Sequence, residues 1–368
     1  MVADTEGFVY PQTDDTRCIE CGLCEDICAF RRAEENIFDG FKVKVYAARH
    51  RDIGVRMCSS SGGVFTALSS QILSNGGAVY GAAFGEDFEV RHEKAESADV
   101  IDRLRGSKYV QSALNDVFPD VRATLKRGIP VLFAGTPCQT AGLNAYLGYG
   151  RHEKLVLCDV VCHGVGSPLI WREYKSLLVR IKKSKLKSFN FRDKTNGWHR
   201  SSSRAFFENG VSLHGDPLVD VFDSLFYQHV ALRPSCHVCV FKSVRRPSDI
   251  TIGDFWGIES AKPNFDDNLG VSLVLINTRR GEVVFESARK ALFCVPCDID
   301  ECRSRTLSRA DAAPSKRKSF WEDYYRHGFE NVARRYSDYG FVNLVRHRVM
   351  RPFLSKLGIM RAARHATI

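Results

Sequence analysis

Cys18, Cys21, Cys24 and Cys28 stand in the spacing C-x2-C-x2-C-x3-C, the run with which iron–sulfur proteins wrap a [4Fe–4S] cluster. Two-residue gaps let successive thiolates curl around one face of a cube, and Gly22 relieves backbone crowding there. A zinc site more often joins one C-x2-C to a second pair far along the chain. Ala29 follows the fourth cysteine, where bacterial runs of this kind end in Cys-Pro. The chain has one such run, so either Cys28 closes its own cluster or Cys58 stands in for it.

Two further cysteines sit at the ends of apolar runs. Val131 to Ala134 stops at Gly135-Thr136-Pro137-Cys138-Gln139, and Leu155 to Val161 stops at Cys162-His163-Gly164. Each run is short, rich in Leu and β-branched residues, and bounded by Gly or Pro, so each reads as a buried parallel strand. In open α/β sheets ligands gather outside the carboxyl ends of strands. Cys138 and Cys162 are therefore expected at strand ends that could be neighbours, where they would hold a metal cluster. The alternative is a pair of buried structural thiols. Cys236-His237-Val238-Cys239 supplies a second C-x2-C. Cys294, Cys297 and Cys302 form a looser group, read as structural or unassigned.

Other stretches suit anions and flat rings. Cys58-Ser59-Ser60-Ser61-Gly62-Gly63 precedes Val64, Leu68 and Ile72 at helical spacing. Ser60 or Ser61 is placed to cap that helix. A Ser/Gly turn opening a helix offers free N–H groups and a positive dipole end to a flavin or nucleotide phosphate. Arg105-Gly106-Ser107-Lys108-Tyr109-Val110-Gln111-Ser112 combines a cation, a flexible glycine, hydroxyls and an aromatic. That mixture suits a phosphate and a ring, or equally a surface loop. Asp249 to Gly257 reads as a strand ending in Asp254 and Trp256, with Gly253 and Gly257 allowing close backbone approach.

The elements that must position these residues follow from pattern. Val79–Phe84, Phe189–Asp193 and Ser272–Asn277 read as strands, and Asn209-Gly210 turns a hairpin between Ser202–Phe207 and Val211–His214. Trp171–Ser184 reads as an amphipathic helix, residues 1–17 as loop, and the last 50 residues as helical. The fold class expected is α/β (α+β mixed): a central, largely parallel sheet with flanking helices, a short ferredoxin-like N-terminal segment and a helical basic tail.

The 368 residues contain 13 cysteines. Without a visible secretory signal these point to metal or redox work rather than disulfides. No apolar stretch approaches the roughly 20 residues that span a bilayer, and a cytoplasmic protein is expected. The net charge is +10, and residues 316–368 carry twelve Lys and Arg against four Asp and Glu. Such a tail can meet membrane headgroups, nucleic acid or an acidic partner, or be a solvated helical end.

Taken in order, the run Cys18–Cys28, Ser61-Gly62-Gly63, Gly106–Ser112, Gly135–Gln139, Cys162-His163-Gly164, Cys236–Cys239 and Asp249–Gly257 resemble the coenzyme F420 hydrogenase/dehydrogenase beta-subunit family. Phe191-Arg192-Asp193-Lys194, Gly197-Trp198 and Cys162-His163-Gly164-Val165 resemble its bacterial branch, whose members often accompany cell-surface polysaccharide synthesis. The resemblance implies an oxidoreductase with FAD and one or two 4Fe-4S clusters, with coenzyme F420 as a further candidate. It implies a ferredoxin-like segment at 1–35, beta-subunit N-terminal-type and C-terminal-type domains at 50–170 and 171–315, and a basic tail at 316–368. The family's fuller members carry two ferredoxin runs, so 1–35 resembles half of a two-cluster domain.

The implied body cluster falls on Cys138, Cys162, Cys236 and Cys239; two strand-end cysteines and one C-x2-C supply the four thiolates of a cube. Ser61, Gly62, Gly63, Ser107, Lys108, Tyr109 and Gln111 would hold the flavin, with Asp254 and Trp256 at the ring or substrate face. His163 is a candidate proton donor. Expected partners are a ferredoxin-type redox protein, a small-molecule or glycan-precursor substrate and, through the tail, the inner membrane face; nucleic acid is not expected. A non-catalytic electron-transfer subunit and a zinc-stabilised binding module are the alternative functions.

Overall fold

A computed structural model describes residues 1–31, 33, 41–150, 152–302 and 307–340. The tail beyond residue 340, on which much of the expected membrane contact falls, lies outside the described residues. Among the described residues, thirteen strands form three sheets. β1 (Val2–Ala3) and β2 (Val9–Tyr10) make a small antiparallel pair where a loop was expected. β8 (Leu186–Asp193), β9 (Ser202–Phe207) and β10 (Ser212–His214) form an antiparallel meander around the Asn209-Gly210 turn.

The third sheet has eight strands: β3 (Lys44–His50), β4 (Ala78–Phe84), β5 (Val90–Ala95), β6 (Val131–Gly135), β7 (Leu155–Val160), β11 (Ile250–Asp254), β12 (Ser272–Ile276) and β13 (Leu292–Cys297). Their spatial order is β13-β3-β12-β11-β7-β6-β4-β5. The four central strands β11, β7, β6 and β4 run parallel. Both flanks are antiparallel. Continuous apolar runs with helices covering both faces are what a parallel centre requires. Leu155 to Asp159 are buried without interruption.

The parallel centre decides where the chemistry lies. Ala134 pairs with Cys158 and Gly135 with Asp159, while Ile252 pairs with Val160. β6, β7 and β11 therefore end along one edge. Their exits carry Cys138, Cys162 and Asp254-Phe255-Trp256, as at the carboxyl edge of open α/β sheets. Cys158, within β7, is fully buried.

A second core joins the helix Pro168–Lys182 to the meander, to Val221–Tyr227 and to the helices Lys316–His327 and Phe329–Tyr336. Phe320, Trp321, Phe329 and Val332 are buried there. The start of the basic C-terminal stretch is thus packed against the body rather than solvated.

Beside this core Asp223 is half-buried. Its Oδ2 accepts from Ser203 Oγ at 2.8 Å, while Oδ1 is buried without a hydrogen-bond partner. Burial pushes its carboxyl up to about 8. The folded state then binds more protons than the unfolded state between the unfolded value near 4 and about 8. Stability contributed by this group is therefore lost as pH rises through that window. Asp223→Asn is expected to stabilise the protein at pH 8 by about 1–3 kcal/mol and to flatten its stability between pH 5 and 8. Urea unfolding at the two pH values measures both effects.

Candidate functional site

The helix Pro137–Tyr146 begins directly after β6. Pro137 fits its first turn, and Gln139 Oε1 accepts from the Thr136 amide at 2.9 Å, in the manner of a capping box. Cys138 is thereby fixed in the first turn, with Thr136 Oγ1 at 3.1 Å from its sulfur. Cys162 leaves β7 next door. Cys236 and Cys239 come from a short 3-10 turn, Pro234–Val238. The four sulfurs line one small cavity together with Arg233, Lys242 and Arg246.

The chain around Cys236 and Cys239 is tied down by Arg246. Its guanidinium reaches Asp159 Oδ1 at 2.9 Å, and the carbonyls of Phe241, Ser243 and Val160 at 3.0–3.3 Å. Both side chains of the ion pair are essentially unexposed.

Burial pushes the Cys138 and Cys162 thiols up, and that of Cys236 up to about 11. Thiols that ionise only when a metal displaces the proton fit ligands of a buried centre. Among the described residues, only His199, Glu259 and Asp266 bring three donor atoms of His, Cys, Asp or Glu within 4.8 Å of one another. The four thiols are spaced more widely than around one zinc, where Zn–S bonds of about 2.3 Å imply sulfurs roughly 4 Å apart. Cationic neighbours offset four thiolates, and Arg233 Nε is buried with no hydrogen-bond partner. In donor set and charge these residues fit a cluster.

The residues that directly follow the run Cys18–Cys28 pack against this centre. Ala29, standing where proline is usual, is buried with Ala141 and Phe241 beside Cys138 and Cys239. The Phe30 and Phe241 rings meet edge to face at 5.3 Å. Cys18, Cys21 and Cys24 are exposed and Cys28 half-buried. Cys58 follows the helix Ile53–Met57, outside this contact.

Cys138 and Cys162 also line a second, much larger cavity of about 1470 Å³. It is bigger than the ~300–1000 Å³ usual for small-ligand pockets. One wall is the start of the helix Val64–Ser74, entered through Gly63 at φ +89° with no side-chain cap. Neither Ser60 nor Ser61 caps it, contrary to expectation. Ser60 Oγ instead accepts from the Ser107 amide at 2.8 Å, and Ser61 Oγ donates to Val271 O at 2.9 Å. Gly63, Val64 and Phe65, at the start of this helix, line the cavity. Gly62 has a packing role: a Cβ there would lie 2.4 Å from Ala48 O. An uncapped helix start among serines fits the phosphates of a dinucleotide cofactor such as FAD.

Several expected ring and phosphate contacts have other partners. Lys108 Nζ donates to the carbonyls of Arg103 and Arg105 at 3.0 and 2.7 Å, closing the preceding helix. Burial lowers its ammonium to about 7. Gln111 binds the Val9 backbone through both ends of its amide, at 2.8 and 3.0 Å, and so anchors β2. Tyr109 stacks on Phe226 at 4.7 Å and lines the cavity.

Asp254 accepts from Arg192 Nη1 and Trp198 Nε1, each at 2.8 Å. Trp256 stacks on Trp198 with centroids 4.5 Å apart and planes 2° from parallel. Arg192, Asp254 and Trp256 all line the cavity. Arg192 and Trp198 were legible only as family-like words; that they surround Asp254 required the fold. His163 Nε2 faces His229 Nε2 at 2.7 Å, so one ring donates and the other accepts. Burial lowers His163 to about 4.

Fold and site together define a mixed α/β protein with four thiols and a large cavity sharing one edge of its central sheet. Residues 130–301 match the family described as the C terminus of the coenzyme F420 hydrogenase/dehydrogenase beta subunit. The chain is also similar to one in the F420-reducing [NiFe] hydrogenase complex from Methanosarcina barkeri, studied by xenon derivatization. The identity is 20%, over 77% of this chain and 92% of that chain, with a TM-score of 0.48. No curated protein matches. Among the described residues, no helix is long and apolar enough to cross a membrane.

Proposed function

We propose that the protein is an iron–sulfur flavoprotein oxidoreductase, with a 4Fe-4S cluster on Cys138, Cys162, Cys236 and Cys239 and FAD in the large cavity. One observation carries the reading: Cys138 and Cys162 belong to the walls of both the thiol-lined cavity and the large one. Bound FAD would supply two-electron chemistry, and clusters single-electron chemistry. The chain's own residues position these groups. The amides after Gly63, with Ser60 and Ser61 beside them, receive phosphate. Lys108 and Gln111 act one step back, fixing the loop and strand that line the cavity.

Trp256, backed by Trp198, offers a flat apolar face with the polar edge of Asp254 and Arg192 beside it. That surface suits a sugar or heteroaromatic ring, which agrees with a glycan-precursor substrate or coenzyme F420. His163, beside Cys162 and facing His229, is the candidate proton carrier.

The run Cys18–Cys28 would hold a second cluster between the body centre and solvent. Ile19, Leu23 and Ile27 on that segment, and Val238 and Val240 beside the body thiols, are exposed. Such an apolar collar around metal ligands suits a docked redox partner. It also favours the second reading, an electron-transfer subunit of a larger complex.

Anaerobic purification followed by iron, sulfide and flavin analysis tests the proposal. Equimolar iron and sulfide with one flavin per chain are expected. Folded, iron-loaded protein without flavin overturns the flavoprotein reading, and stoichiometric zinc overturns the cluster. Turnover of a small molecule by the isolated chain would exclude the purely electron-carrying role.

A further inference from the structure

Ser112 closes the Gly106–Ser112 stretch and lines the large cavity, close to the end of β6 that leads into Cys138. Its Oγ lies 2.7 Å from His92 Nδ1, and His92 Nε2 lies 3.0 Å from the Ala134 carbonyl oxygen. A carbonyl oxygen only accepts, so Nε2 carries the hydrogen of the ring. In a neutral imidazole Nδ1 is then an acceptor. The hydrogen between His92 and Ser112 therefore belongs to the serine.

The ring has little freedom to exchange these roles. It is buried and stacked on Phe133, with centroids 5.3 Å apart and planes at 15°. Burial keeps it neutral, lowering it to about 4. Backbone bonds between His92 N and Ala113 O, and between Ala113 N and Val90 O, both 2.9 Å, lock Ser112 in register with β5. A serine hydroxyl ordinarily serves as donor or acceptor by rotating. Here its hydrogen is committed to His92, and it offers the cavity lone pairs only.

We propose that Ser112, set by His92, is an acceptor-only contact that selects a bound ring carrying N–H over one presenting a bare nitrogen at that point. The inference rests on the flavin reading above. Uptake of two electrons and two protons by an oxidised isoalloxazine converts two bare ring nitrogens to N–H. Through His92, Ser112 is tied to Ala134 in the strand that leads into Cys138, the side from which a cluster would deliver electrons. It thus favours the reduced ring and meets the oxidised ring lone pair to lone pair. His92 is the positioning residue.

The test uses the full chain, purified anaerobically and titrated with FAD. Binding is read by absorbance, and the midpoint potential by dithionite titration against a reference dye. Ser112→Ala is expected to weaken the preference for reduced over oxidised flavin about tenfold, which lowers the two-electron potential by ~30 mV. His92→Phe keeps the stacking and frees the hydroxyl to donate, so the potential should fall in the same direction. Ser112→Thr should retain the wild-type potential. With FAD bound, an unchanged potential in Ser112→Ala and His92→Phe overturns the inference, as does an alanine-like shift in Ser112→Thr. If folded, iron-loaded wild-type protein binds no FAD, the flavin reading falls and takes the inference with it, before any potential is measured.

Discussion

Arg246→Ala is expected to destabilise the protein by about 3–5 kcal/mol, the usual cost of leaving one member of a buried ion pair alone. Asp159 sits inside β7 with neighbours on both sides, so its carboxylate cannot reach water when the guanidinium is removed. Its Oδ2 is already buried without a partner. The three carbonyls that Arg246 binds would lose their donor as well. Replacing both partners at once, Asp159→Leu with Arg246→Met, should recover most of the loss, because the desolvation of both charges then disappears. The urea midpoints of the single and double variants measure the effect. A single variant within about 1 kcal/mol of wild type would contradict this account. Iron content gives a second readout: the double variant should fold yet load iron poorly, since the chain from Phe241 to Ser243, just beyond Cys239, is no longer tied to the sheet edge.

Cys162→Ser is expected to remove the body cluster, lowering iron by about four per chain, with the absorbance of that cluster lost in parallel. Cys158→Ala, four residues earlier, should leave the iron unchanged. The two thiols differ in what faces them. Cys158 lies within β7, packed among apolar side chains such as Leu132, Ile250 and Val274. Cys162 lies past the strand end, where burial of its thiol is felt together with the nearby Cys236, Cys138 and Cys239. Removing the Cys158 sulfur leaves a small cavity, at an expected cost of about 1 kcal/mol. If Cys158→Ala lost the cluster while Cys162→Ser retained it, the assignment of the fourth ligand would be reversed.

Residue spacing by itself determined the parts of this protein that depend on local chain geometry. Apolar runs bounded by Gly and Pro marked β6 and β7, and parallel pairing puts both exits on one edge, so Cys138 and Cys162 were legible as strand-end neighbours. The C-x2-C of Cys236 and Cys239 was legible for the same reason, because two intervening residues fix the reach between thiols.

Side-chain partners were less legible. Ser60 and Ser61 look like caps, yet each bonds elsewhere. Lys108 looks like a phosphate ligand, yet the carbonyl end of a neighbouring helix lies closer. Composition does not reveal which acceptor a flexible donor will find first.

Only the tertiary structure decided the long-range pairings. It packed Ala29 and Phe30, which directly follow the Cys18–Cys28 run, against Phe241 beside the body thiols. It set Arg246 on Asp159, Arg192 and Trp198 on Asp254, and Ser112 on His92. These contacts join residues separated by 20 to more than 200 positions. No local period encodes them; they follow from the strand order of the sheet and from the requirement that each buried polar group find a partner.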